Sequence, residues 1–169
     1  MIEYRDATAA DGPALGQVGA QAYVETFGHL YAQADLDTFL HATFGPAGLP
    51  AQAADPAYTI RVATDAGRVV GFAKLGPVAF PGHWPATAIE LHQLYVLATH
   101  LGTGIGPVLM DWALAEARRQ RATEMLLSVY VDNHRAKRFY AARGFTDIGR
   151  YDFRVGDTVD EDRLMRLPL

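Results

Sequence analysis

Apolar positions along the chain fall into helical and extended spacings, and their succession predicts the elements. Ile2–Ala7 reads as a short strand. Thr8–Pro13 then supplies a helix start. Thr8 with Asp11 three residues on matches a capping box. Alternatively Asp11 is itself the N-cap, with Pro13 in the first turn, and the sequence leaves both open. Leu15, Val18, Ala22, Tyr23 and Phe27 form an apolar helical stripe that Gly28 is expected to end. A second helix is predicted over Ala34–Phe44, with Leu36, Phe39, Leu40 and Phe44 on one face, before the breaker cluster Gly45–Pro50. Two strands follow, Tyr58–Thr64 and Arg68–Leu75, joined by the tight-turn sequence Asp65-Ala66-Gly67. Three prolines make Gly76–Thr87 a loop.

The second half continues with a strand over Ala88–Leu97, a helix over Pro107–Arg121 and a buried strand over Glu124–Val131. A helix over His134–Arg143 is closed by Gly144. Two last strands lie near Phe145–Val155 and Asp162–Leu167. The order β-α-α-β-β-β-α-β-α-β-β predicts a mixed α/β layer structure with helices packed on a sheet. With neither repeat nor linker, residues 1–169 read as a single domain.

Composition narrows the chemistry. The net charge of −4 gives no electrostatic footprint for nucleic acid and suits a cationic small substrate slightly better than an anionic one. No cysteine is present, which removes disulfides, thiolate metal sites and cysteine nucleophiles. Ser128 is the one serine, set in an apolar run, and no G-x-S-x-G elbow exists. Group transfer without an acyl-enzyme is therefore expected. The six histidines show no H-E-x-x-H or paired spacing, so no metal is expected. Met1–Asp6 lacks the pattern of a signal peptide, and no apolar stretch approaches a membrane span, which points to the cytoplasm and to no membrane partner.

Leu101-Gly102-Thr103-Gly104-Ile105-Gly106-Pro107 stands between a strand and a long helix. Glycines let successive backbone N–H groups point into one concavity, and a helix N-terminus adds unpaired N–H groups and a positive dipole end. The turn is therefore a candidate anion cradle. It is neither a P-loop, which needs a terminal Gly-Lys-Ser/Thr, nor the dinucleotide G-x-G-x-x-G. Farther on, Asn133 is a natural N-cap, and Ala136, Phe139 and Tyr140 share one helix face.

Together these segments resemble the GNAT superfamily of N-acetyltransferases. Leu94-Tyr95-Val96-Leu97 leads to the Gly-rich turn as that family's strand leads to Q/R-x-x-G-x-G/A, and Asn133–Phe145 matches N-x-x-A-x-x-F-Y-x-x-x-G-F. The resemblance implies a central, mostly antiparallel twisted sheet of six to seven strands flanked by about four helices. It implies acetyl-CoA as cofactor, held by Leu94, Tyr95, Val96, Leu101, Gly102, Thr103, Gly104, Ile105, Gly106, Asn133, Ala136, Phe139 and Tyr140. The main-chain N–H near Val96 would serve the thioester oxygen, Asn133 the pantetheine arm, and Tyr140 would protonate the sulfur. One position departs from the pattern: Leu101 stands where Gln or Arg is usual, which leaves the pyrophosphate to backbone amides, with His100 or Thr103 as candidates for a replacement contact.

Amine attack on a thioester needs a base. Glu90 is the candidate, with His92 on the same strand as the runner-up. Acceptor walls are expected from Phe27, His29 and Tyr31 after the first helix and from Trp84 in the long loop, where Tyr31 and Trp84 face a cation through their rings. The segments Phe153–Asp157 and Asp162–Met165 are similar to the branch that includes polyamine acetyltransferases, which implies a small-molecule amine acceptor. The alternatives are a peptide or protein N-terminus as acceptor, or a non-catalytic acyl-CoA-binding domain on the same fold. Homodimers are common in the superfamily that the chain resembles.

Overall fold

The computed structural model describes residues 1–169. Seven strands form one sheet: β1 (Ile2–Asp6), β2 (Thr59–Asp65), β3 (Arg68–Gly76), β4 (Ala88–Val96), β5 (Glu124–Tyr130), β6 (Thr146–Val155) and β7 (Thr158–Pro168). The helices are α1 (Gly12–Phe27), α2 (Gln33–Phe44), the single turn α3 (Leu49–Gln52), α4 (Ile105–Arg119) and α5 (His134–Ala141). Apart from α3, which falls in the Gly/Pro cluster, the order is the predicted one.

The sheet order is β1-β2-β3-β4-β5-β7-β6. Every pairing is antiparallel except β4 with β5. That parallel ladder is short. It joins Ala88 to Glu124, Ile89 to Met125 and Glu90 to Leu126, and no pair follows. Beyond Glu90 the two strands splay, and the edge of β4 facing β5 has no strand partner.

Each face of the sheet carries a core. On one, Leu109, Met110, Ala113 and Ala117 of α4 pack over Ala73, Leu91, Met125 and Leu127, with Ala136, Phe139 and Tyr140 of α5 beside them. On the other, Leu15, Val18 and Tyr23 of α1 with Leu36 and Phe44 of α2 cover Ile60, Val62 and Phe72. We call these the α4 face and the α1 face. Burial of apolar side chains on both sides of the central strands is what holds the layers together.

Local chemistry decides several boundaries. The Thr8 N–H donates to the Asp11 carboxylate at 2.7 Å, and Arg5 holds that carboxylate at 2.7 and 2.8 Å. The Asp11 side chain thus closes the capping box with Thr8, while Asp11 itself stands at the N-cap position of α1 with Pro13 in the first turn, so both openings offered by the sequence are present. Helix α1 ends at Phe27 with Gly28 as its C-cap, as predicted, and a 3-10 turn follows over Gly28–Leu30. Ala66 and Gly67 both have positive φ (49° and 77°), which closes the β2–β3 hairpin in two residues. Helix α4 begins at Ile105, two residues earlier than predicted, because Gly104 adopts φ +91° and turns the chain into it.

A β-bulge interrupts β4. Lys74 pairs with Gln93, but the next residue, Leu75, pairs with Leu91, so His92 is the extra residue. The bulge shifts the alternation. Ile89, Leu91, Leu94 and Val96 pack on the α4 face, whereas Tyr95 packs on the α1 face.

Candidate active site

A cleft of about 280 Å³ opens where β4 and β5 splay. It passes from one face of the sheet to the other, and the side chains lining it divide by face. On the α4 face are Leu94 and Val96 of β4, Leu127 and Val129 of β5, and Ala136 and Tyr140 of α5. On the α1 face are Gln93 and Tyr95 of β4, Ser128 and Tyr130 of β5, and Tyr23, Phe27 and Tyr31 from α1 and the turn after it. Phe153, Asp160 and Asp162 of β6 and β7 complete that side.

Leu101 lines the cleft and is 47% exposed, so the Gly-rich turn stands at its mouth on the α4 side. Gly102 and Gly104 have φ of 77° and 91°, values that L side chains rarely adopt. A Cβ built on Gly102, Gly104 or Gly106 meets nothing within 4 Å. The backbone N–H groups of Gly102, Thr103, Gly104, Ile105 and Gly106 donate to no acceptor in the chain. Five outward donors at the positive end of a 15-residue helix fit a pyrophosphate. The expected replacements for the missing Gln/Arg are already engaged. Thr103 Oγ donates to the His100 carbonyl at 2.6 Å, while His100 lies 3.1 Å from Asp65 and 2.9 Å from the Thr99 hydroxyl. The turn thus offers backbone donors without a side-chain donor.

On α5, Asn133 caps the helix by accepting the Ala136 N–H at 3.3 Å. The Tyr140 phenol lines the cleft, takes part in no hydrogen bond with the chain, and is pushed up to about 12 by burial. It keeps its proton at neutral pH. Phe139 does not line the cleft. Its ring packs into the α4-face core and lies under the Arg143 guanidinium at 3.8 Å.

Glu90 is 6% exposed and lies behind the cleft wall, while His92 lines it. His92 Nδ1 is 3.4 Å from Glu90 Oε1, and His92 Nε2 is 2.9 Å from the Pro77 carbonyl. Burial pushes the Glu90 carboxyl up to about 7, against the Ala79 N–H at 2.8 Å and the charge of Lys74. Burial and Lys74 push His92 down to about 4, so its ring is neutral. A carbonyl only accepts, so Nε2 carries the ring proton and Nδ1 presents a lone pair to Glu90. Two lone pairs then face each other unless Glu90 is protonated. Burial thus favours the neutral form of both groups, and their contact at 3.4 Å is not a hydrogen bond.

The α1-face end is acidic and aromatic. Tyr23 donates to the Tyr31 hydroxyl at 3.0 Å, and Tyr31 donates to Asp160. Asp162 is buried, and burial pushes its carboxyl up to about 6 against the Ser128 hydroxyl, which opposes the rise, and with the neighbouring Asp160, which adds to it. Trp84 and His29 do not line this cleft. Trp84 sits at a separate surface depression with Phe80 and Pro85, and its Nε1 donates to the Phe80 carbonyl at 3.1 Å. Asp160, Asp162, Gln93 and Tyr23 line the cleft but are not among the site residues that the sequence predicts. Asp162 falls in a segment singled out there, but its exit into the cleft depends on β7 pairing with β5, where it stands opposite Tyr130.

The sequence model of the acetyltransferase (GNAT) family matches residues 20–145. The chain belongs to the GNAT family of acetyltransferases. With that membership comes the enzyme class, an acyltransferase that draws its acetyl group from acetyl-CoA. An uncharacterised N-acetyltransferase of Mycobacterium tuberculosis is 32% identical over 155 residues, which cover 92% of this chain and 96% of the relative. The aminoalkylphosphonate N-acetyltransferase of Salmonella typhimurium is 35% identical over 98 residues, 58% of this GNAT chain and 63% of that one. The PaiA N-acetyltransferase of Thermoplasma acidophilum, solved in complex with coenzyme A, superposes with a TM-score of 0.81 at 20% identity, covering 100% of this chain and 99% of that one. The GNAT fold of this chain, a seven-stranded mostly antiparallel sheet between helices, is that of its solved relatives.

Proposed function

We propose that this GNAT chain transfers the acetyl group of acetyl-CoA to the neutral nitrogen of a small primary amine, such as a polyamine, by direct attack and without an acyl-enzyme. The observation that carries this reading is the cleft through the sheet. Its α4 side offers free amides and a free phenol, its α1 side offers carboxylates and aromatic rings, and the two meet at the splay. Donor and acceptor thereby approach each other from opposite faces, which converts a bimolecular encounter into a positioned one.

When bound, acetyl-CoA supplies the activated acetyl group. The amides of Gly102–Gly106 hold its pyrophosphate, the open edge of β4 at Leu94–Val96 runs beside its arm, and the Val96 N–H stabilises the thioester oxygen as charge develops there. Asn133 orients the arm from the head of α5. Glu90 is the proton sink of the Glu90–His92 pair: lying behind the wall, it takes the ammonium proton of the acceptor through a water chain that passes His92. The freed nitrogen lone pair would form the amide bond as the carbon–sulfur bond breaks; Tyr140 would give its proton to the departing sulfur and recover one from the nitrogen, which sheds its second proton as the amide forms.

The acid-lined acceptor end favours cations. It disfavours the phosphonate acceptor in the name of the Salmonella relative, because two uncompensated carboxylates repel an anion. The test is thiol release from acetyl-CoA against a panel of amines and peptides, with mass detection of the acetylated product. Tyr140→Phe is expected to lower kcat on the order of 10²-fold while leaving the Kd for acetyl-CoA unchanged. An unchanged kcat removes Tyr140 from the acid role.

A further inference from the structure

Strand β7 sorts its charges by face. Glu161 lies 3.0 Å from Arg150 and 3.7 Å from Arg163. Its neighbours Asp160 and Asp162 line the cleft instead and have no cationic side chain within 4.0 Å. No lysine or arginine lines the cleft at all. Across the splay stands Gln93 of β4, 8% exposed, and its Oε1 is buried without a hydrogen-bond partner. A buried carbonyl oxygen left unpaired destabilises the fold, so a side chain kept in that state at a cleft wall is matched to a donor from outside the chain. Both Oε1 and the carboxylates are acceptors, and they ask for a ligand that only donates.

Neutralising the attacking nitrogen falls to the Glu90–His92 pair, which sits on β4 at the inner end of the splay. The carboxylates of β7 are a second acidic pole on a different strand, beside the rings of Tyr23, Tyr31 and Tyr130. A single ammonium does not need both poles. We infer that Asp162 and Gln93 read the acceptor: the Asp162 carboxylate holds a second, cationic group of the amine that is acetylated, and the Gln93 carbonyl oxygen accepts an N–H from the same molecule. Asp160, fixed by Tyr31, adds to the negative field without needing to touch the ligand. The inference rests on the acetyl-transfer reading of this cleft and adds the acceptor's second charge to it.

The experiment uses the full chain saturated with CoA, so that no turnover occurs, and measures binding of 1,4-diaminobutane, butylamine and 4-aminobutanoate by calorimetry. The diamine is expected to bind at least about tenfold more tightly than the monoamine, and the amino acid most weakly. Asp162→Asn is expected to bring the ratio of diamine to monoamine affinity close to one, and Gln93→Met to weaken the diamine several-fold. The CoA affinity of each variant is the control for folding. Equal binding of diamine and monoamine by the unaltered protein overturns the inference, as does an Asp162→Asn protein that weakens both alike. Acetyl transfer to all three ligands with equal kcat/KM overturns it too and leaves the transferase reading intact. Diamine preference without acetyl transfer to any of the three sinks the small-amine acceptor reading, and with it the claim that the bound diamine is what is acetylated.

Discussion

Lys74 stands on β3 with 4% of its surface exposed. Its ammonium donates to Gln52 Oε1 and lies 5.1 Å from the centroid of the Tyr58 ring, which in turn meets the His92 ring edge-on at 5.7 Å. Burial pushes it down to about 8, with Glu90 opposing. The groups around Glu90 are thus Lys74 from β3, His92 from its own strand, the Ala79 N–H from the long loop and Tyr151 from β6. Lys74→Met removes a positive charge that favours the ionised carboxyl and the neutral imidazole. Both Glu90 and His92 should then rise, so the acidic limb of kcat/KM should move to higher pH by about one unit whichever of the two takes the proton. A pH–rate profile checks this; a limb that stays in place, with only the amplitude lowered, means that Lys74 serves packing alone. At this scale the sequence disclosed the motif residues, because Asn133, Ala136 and Tyr140 lie within one helical turn or two of each other. It did not disclose Lys74, Gln93 or Asp162. They approach the cleft from three strands, and their neighbourhood exists only after the sheet has assembled.

Among the elements, the Gly-rich turn and α4 were legible, since alternating glycines before a helical run have few other uses. Their exact junction was not, because it depends on Gly104 at φ +91°. Gly104→Ala introduces a side chain with room around it but a backbone angle that costs about 1 kcal/mol. A modest fall in Tm is expected, together with a larger loss of CoA affinity as the amides of Gly104, Ile105 and Gly106 turn away from a common point. Calorimetric Kd values set against thermal melts separate the two, and a variant that loses stability but keeps its CoA Kd contradicts the cradle. Strand β4 is predicted as one run over Ala88–Leu97, and the bulge at His92 lies outside what a run of extended residues encodes. Gly28 ends α1 as its sequence position predicts, and the 3-10 turn that starts from it, Gly28–Leu30, lies outside what the apolar stripe encodes.

Across the whole molecule, β1 and the entry to α1 are tied by Arg5 and Asp11. Arg5 beside Asp11, aided by the Thr8 N–H, holds the Asp11 carboxyl well below the usual carboxylate range. A carboxyl depressed in the fold stabilises it above its unfolded value, about 3.9, and that contribution disappears as pH falls through the folded value. Asp11→Asn should therefore be less stable near neutral pH and lose less stability on acidification than the unaltered chain. Urea denaturation between pH 2 and pH 7 checks this; parallel stability curves contradict it. No helix is long and apolar enough to cross a membrane. The strand count and the sense of the sheet follow the resemblance, whereas the neighbourhood of β5 and β7, which are separated in sequence by α5 and β6, is a property of the closed sheet.

The splay between β4 and β5 has a consequence for how such a protein can change. Its two mouths are built by different stretches of chain: α4, α5 and the Gly-rich turn on one side, α1, the turn after it and the β6–β7 hairpin on the other. Only the strand edges at the splay itself are common to both. Exchanging the segments around Tyr23–Tyr31 and Phe153–Asp162 would therefore rewrite what is modified and leave the supply of acetyl groups as it was, so that one inherited half serves many interchangeable others.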